Sequence, residues 1–198
     1  MKRALILSIV LLATACASDG RTLRTPASGA SAPPLATSTS VPAQGGTVGD
    51  ALALTSSAFT NDQPIPVEFT CDGAGMSPPL AWGATPEGTV ELVLTVIDPD
   101  AKGFVHWMIA GLDPSVQALS QGAVPDGAVQ ALNGAGKQGW TGPCPPKGAP
   151  HHYVFTLYAM GAATSITDGM PAADALAALA KQKAITATTL TGTYQRAG

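Results

Sequence analysis

Short runs rich in β-branched and aromatic residues, each closed by glycine, proline or aspartate, constrain what this chain can fold into. Val90–Ile97 is almost continuously apolar, as a strand buried on both faces must be. Pro66–Cys71, Phe104–Ala110 and Tyr153–Met160 are further strand-like runs, and the threonine-rich Ile185–Tyr194 alternates. Between them lie turn clusters such as Asp72-Gly73-Ala74-Gly75 and Asn133-Gly134-Ala135-Gly136. The one clear helical pattern is Ala172–Lys183, with Pro171 at its start and lysines in its last turn. Many strands and one late helix predict a mainly β fold, a two-sheet antiparallel β-sandwich with a few peripheral helices.

The N-terminus follows different rules. Lys2 and Arg3 precede a 12-residue apolar run from Ala4 to Ala15, which is too short to anchor in a bilayer. Residues 1–15 therefore read as a secretory signal. The small residues Ala13-Thr14-Ala15 before Cys16 resemble a bacterial lipobox, which makes Cys16 the expected lipidation site. Ala13 stands where leucine is commonest, so the alternative is an ordinary signal peptide cut after Ala15. Residues 16–48 carry mainly Ala, Ser, Thr, Pro and Gly and cannot bury enough surface to offset their ordering entropy. They are expected to be a disordered tether carrying the lipidated cysteine. Residues 49–198 remain as one domain, long enough for a single core.

Loss of residues 1–15 takes Lys+Arg from 10 to 8 against 13 acids, so the net charge moves from −3 to −5. With no basic run, no nucleotide-binding glycine loop and no internal repeat, nucleic acid is not an expected partner.

Candidate chemistry is confined to two blocks. The first is Val96-Ile97-Asp98-Pro99-Asp100-Ala101-Lys102-Gly103-Phe104-Val105-His106-Trp107; the second runs from Gly139 to Phe155 through Gly142-Pro143-Cys144-Pro145-Pro146 and His151-His152-Tyr153. All 3 histidines lie in them, although only 12% of the chain is charged. Alone, Asp98 and Asp100 read as turn aspartates bonded to backbone amides, and His106 as a core histidine. On a strand His151 and His152 face opposite sides, with Tyr153 sharing the side of His151.

Taken together and in this order, the blocks resemble the phosphatidylethanolamine-binding protein family, in its bacterial Raf-kinase-inhibitor-like branch. Thr70-Cys71-Asp72-Gly73, Ser77-Pro78-Pro79-Leu80-Ala81-Trp82 and Gly192-Thr193-Tyr194-Gln195-Arg196 extend the resemblance to about residues 54–196. It implies a two-sheet sandwich with a small anion pocket lined by Asp98, Asp100, His106, His151 and Tyr153. The loop containing Pro143 forms part of the wall, with a cis bond at Pro145 or Pro146. His152 stands where the family often has arginine, and Lys102 where its motif usually has a second proline.

If Cys16 is lipidated, Cys71 and Cys144 are the two cysteines left in an exported domain, so they are expected to form a disulfide; the alternative is two buried thiols.

The resulting expectation is a non-enzymatic binding module, exported and lipid-anchored to the bacterial cell membrane, facing outside the cytoplasm. Its partners would be a small anionic ligand or phospholipid headgroup and, through Cys16, the membrane; no protein partner is specified. No catalytic residue, metal or cofactor is expected, because no further acidic ligand lies near the Asp/His set and neither Ser77 nor Cys144 sits in a nucleophile's setting. The rival readings are a hydrolase using His106 or His151 as base, and a protein-interaction inhibitor of the same fold. Two aspartates repel an anion. Binding therefore needs a protonated His106 or His151, a proton shared with the ligand, or a carboxylate turned onto backbone amides.

Overall fold

A computed structural model describes residues 52–196; the signal segment, Cys16 and the whole tether lie outside the described residues. The strands are β1 (Gln63–Pro64), β2 (Leu80–Ala81), β3 (Glu91–Asp98), β4 (Phe104–Leu112), β5 (Ala118–Leu119), β6 (Val129–Gln130), β7 (His151–Met160) and β8 (Ala184–Tyr194). Among the described residues one α-helix, α1 (Ala172–Ala180), precedes β8. Six strands form one sheet in the order β1-β8-β7-β3-β4-β6, and β2 pairs with β5 in a small second sheet.

The fold is mainly β, with two departures from the expected sandwich. The large sheet is mixed, because the short edge strand β1 runs parallel to β8. The second sheet is only the two-stranded β2–β5 pair. The run Pro66–Cys71 is not a strand: Val67–Phe69 makes one turn of 3-10 helix. Thr70 Oγ1 donates to Val67 O at 2.8 Å and accepts from Asp72 N–H at 3.2 Å, which closes the chain locally. Gly73 is required there, since a Cβ would lie 2.1 Å from Val67 O. The helix also ends at Ala180, short of Lys183, and β8 begins at Ala184.

Central strand β3 explains its own composition. Leu92, Leu94 and Val96 pack with Trp107, Ile109, Tyr153, Phe155, Leu157 and Leu190 on one face. Val93 packs with Met108, Ala110, Ala175, Ala178 and Leu179 on the other, beneath α1. Covering a strand on both faces demands a continuous apolar run rather than alternation.

β3 pairs antiparallel with both β4 and β7, so its C-terminal end lies beside both of their N-terminal ends. The two motif blocks, far apart in sequence, therefore meet at one end of the sheet.

Candidate functional site

Strand parity carries Asp98 to the face of Leu94 and Val96, and it is only 2% exposed. Its Oδ1 accepts the Ala101 N–H at 3.0 Å, closing the turn after the strand. Its Oδ2 accepts His151 Nδ1–H at 2.8 Å. Burying a carboxylate is costly unless it is paired, and both oxygens are engaged.

His106 reaches the same face through an irregularity. Ile97 stands opposite Val105 and Val96 opposite Trp107, so His106 is an extra residue without a partner in β3. Val105 faces the α1 side and Trp107 the opposite side; the bulge rotates His106 toward the Tyr153 side. Its ring lies edge-on to Tyr153 at 5.0 Å and to Phe104 at 4.8 Å. A carbonyl can only accept, so the 2.6 Å contact to Thr141 O fixes the proton of His106 on Nδ1. Burial is the largest influence on this ring and holds its pKa below the ordinary 6.5, outweighing the Thr141 carbonyl and the Asp98 charge. Protonation of His106 is thus disfavoured as the means of attracting an anion.

Tyr153 is wholly buried, and its hydroxyl has no hydrogen-bond partner among the described residues. Burial, followed by the negative charge of Asp98, drives its pKa far up, so the phenol stays protonated.

A cleft of about 170 Å³ opens between these groups, lined by Asp98, Ala101, Phe104, His106, Thr141, Gly142, Cys144, Pro145, Pro146, His151 and Tyr153. At about 30 Å³ per water it holds about five or six waters, well below the ~300 Å³ at which drug-sized pockets begin. Among the described residues no cluster of three His, Cys, Asp or Glu side chains has the geometry to hold a metal.

Two expected lining residues lie elsewhere. Asp100 points outward, because β3 ends at Asp98 and Pro99 begins the turn. Asp100 Oδ2 accepts both the backbone N–H and Nδ1–H of His152, each at 2.8 Å. Strand parity thus produces one Asp–His pair inside, Asp98–His151, and one on the surface, Asp100–His152. Pro143 is buried behind the wall, its carbonyl accepting the Cys71 N–H at 3.1 Å, while Pro145 and Pro146 face the cleft. No described peptide bond is cis. Lys102 adopts φ 57°, a conformation closed to proline, so this turn differs in backbone from one built on Asp-Pro-Asp-Ala-Pro.

The cleft wall is braced by contacts that single motifs do not reveal. Cys71 and Cys144 form a disulfide across a separation of 73 residues. Gly142 passes so close to the turn at 69–70 that a Cβ would lie 2.9 Å from Phe69 O. Buried Asn133 donates to Gly139 O at 3.1 Å and Thr141 Oγ1 at 2.8 Å, holding the carbonyl that orients His106. Asp72 accepts from Tyr194 Oη at 2.8 Å and from Arg196 Nε and Nη2 at 3.0 and 2.8 Å, fastening the end of β8 beside the disulfide. Hydrogen bonds from Arg196, then Tyr194, hold the Asp72 carboxyl below its ordinary range.

Residues 55–195 match the family model described as phosphatidylethanolamine-binding protein. A relative from Mycobacterium tuberculosis, named "Putative lipoprotein LppC", is 42% identical over 147 residues, covering 73% of this chain and 72% of its own. The crystal structure of a phosphatidylethanolamine-binding protein homologue from Chlamydia trachomatis superposes with a TM-score of 0.68 at 38% identity, over 75% of this chain and 99% of that one. YbcL of E. coli, described as a member of the mammalian family, gives a TM-score of 0.69 at 29% identity, over 74% of this chain and 99% of its own. The fold, the order of the motifs and the extent of these matches agree: the chain belongs to the phosphatidylethanolamine-binding protein family.

Proposed function

We propose that this chain is a lipid-anchored, extracytoplasmic binding module whose cleft takes phosphate, phosphorylated headgroups or similar small anions. The observation that carries the reading is the small cleft at the strand ends in which Asp98, His106 and His151 from the two motif blocks meet, with His151 hydrogen-bonded to Asp98. Asp98 is less of an obstacle than its charge suggests, since it is paired with His151 and a backbone amide. Anchoring rests on the Cys16 context and on a relative named as a lipoprotein.

Calorimetric titration with phosphate and phosphoethanolamine tests the pocket. Binding should occur with wild type and be lost in the Asp98→Ala/His151→Ala double variant; equal affinity in both refutes the site. Cys16→Ser should release the protein from membranes, whereas an unacylated mature N-terminus at any other residue refutes the anchor.

A second reading, hydrolysis, is favoured by one observation: His151 is oriented by buried Asp98 as a general base would be. Turnover of generic esters or phosphoesters that is abolished by His151→Ala would establish it.

A further inference from the structure

Away from the cleft, reactive sulfur is concentrated in one side chain. Among the described residues, Met108 and Met160 are 0% and 1% exposed, and Met170 is partly buried against the same core beneath α1. Met76 is 42% exposed. Cys71 and Cys144 are bridged, so neither offers a thiol.

The register of the small sheet sets what Met76 touches. β2 pairs antiparallel with β5, Leu80 opposite Leu119 and Ala81 opposite Ala118, and continuing that ladder backward brings Ser77 opposite Gly122. The Gly122 N–H donates to both Ser77 O and Ser77 Oγ at 3.1 Å, which fastens the two segments together. Gly122, at φ 69°, has no side chain to obstruct its neighbour, and the Met76 side chain lies across it: a Cβ there would come 3.6 Å from Met76 Sδ. Next to it, Gln121 Nε2 lies 3.9 Å from the same sulfur. Sulfur and amide oxygen both present lone pairs, so it is the amide N–H that faces the thioether. A thioether accepts only weakly, whereas oxidation turns this side chain polar and gives the amide an oxygen to donate to.

We infer that Met76 is a peroxide-reactive site, its sulfur taking one oxygen from a hydroperoxide and the resulting sulfoxide oxygen accepting the Gln121 amide N–H. A sulfur lone pair attacks one peroxide oxygen and the O–O bond breaks. The sulfur is oxidised by two electrons and keeps that oxygen. The proton it carried passes to the departing oxygen, which leaves as water when the oxidant is hydrogen peroxide. Exposure gives the oxidant access, and the new polar group stays in solvent beside a donor. The same oxygen on Met108 or Met160 would be forced into the apolar core. Met76 thus takes up oxidant where the fold tolerates it, and methionine sulfoxide reductases, which act on both epimers, can restore the thioether.

The test is timed exposure of the full chain in detergent to hydrogen peroxide, followed by peptide mapping in the mass spectrometer, thermal melts and nitrogen-15 spectra of the side-chain amides. One oxygen should appear on Met76 at least about tenfold faster than on Met108, Met160 or Met170, because buried thioethers react only in transiently opened states. With Met76 alone oxidised, Tm should move by less than about 3 °C, and the Gln121 amide resonance should shift. Treatment with the two reductases should reverse both the added oxygen and that shift. Met76→Leu, which conserves volume at an exposed position, should melt as wild type does and lose the rapid phase of oxidation. Oxidation of Met170 or of the core methionines as fast as Met76 overturns the assignment. A fall in Tm of more than about 3 °C with only Met76 modified overturns the claim that the fold tolerates it. A Gln121 resonance that does not move overturns the amide's part.

Discussion

Breaking the Cys71–Cys144 bridge should lower the stability of this domain markedly while leaving its fold intact. The bridge spans 73 residues of sequence, and the chain-entropy relation for a loop of that length gives about 4–5 kcal/mol of stabilisation. Both cysteines are exposed, so reduction forfeits little apolar burial and the effect falls on the unfolded ensemble. In the native state the same loops stay joined by the Cys71 N–H to Pro143 O bond at 3.1 Å and by Trp140 Nε1–H to Phe69 O at 3.1 Å. For a domain of this size each kcal/mol shifts Tm by about 2–4 °C, so the fall should be about 8–20 °C. Thermal melts followed by circular dichroism, with and without reductant, measure it. Cys71→Ser/Cys144→Ser should reproduce the drop without reductant, and reductant should then add nothing. A fall of less than about 3 °C, or two titratable thiols in the unreduced mature protein, refutes the reasoning.

Lys102→Pro should destabilise the turn that seats Asp98, because proline cannot adopt φ 57°, whereas Lys102→Gly should be neutral or stabilise by up to about 1 kcal/mol in urea unfolding. Tyr153→Phe should leave stability unchanged or raise it by about 1 kcal/mol in urea unfolding, since it removes an unpartnered buried hydroxyl, and a loss of more than about 1 kcal/mol would show that the hydroxyl is satisfied. Asp72→Asn should lower the urea midpoint at pH 7. The folded-state pKa of Asp72 lies below the ordinary 3.8, so its contribution is complete above that value and is lost as pH falls through the folded one. The gap between wild type and variant should therefore close on acidification below pH 3.8, and a gap that persists there points to packing instead.

Much of the architecture was legible because it depends on local rules. The apolar run of β3, the alternation of β8, the turn clusters and the alanine-rich helix each follow from period and punctuation within a few residues. The opposite facings of His151 and His152 follow from strand parity in the same way. Pro66–Cys71 misled because its β-like composition was overridden by the Thr70 hydroxyl and by the close approach at Gly73, a contact no propensity encodes.

The site divides along the same line. Sequence by itself determined which residues were available: every histidine in two blocks at strand ends, an aspartate closing an apolar strand, and a tyrosine sharing the side of His151. Tertiary structure decided which of them meet. A bulge against β3 turned His106 onto the Tyr153 face, the end of β3 at Asp98 sent Asp100 out to His152, and the backbone path of the loop put Pro145 and Pro146, not Pro143, on the cleft. It also set Asn133 behind Thr141 and Arg196 against Asp72. The physical reason is that periodicity sets the facing of a side chain within its own strand, whereas bulges, strand ends and pairing partners are set by contacts between segments distant in sequence.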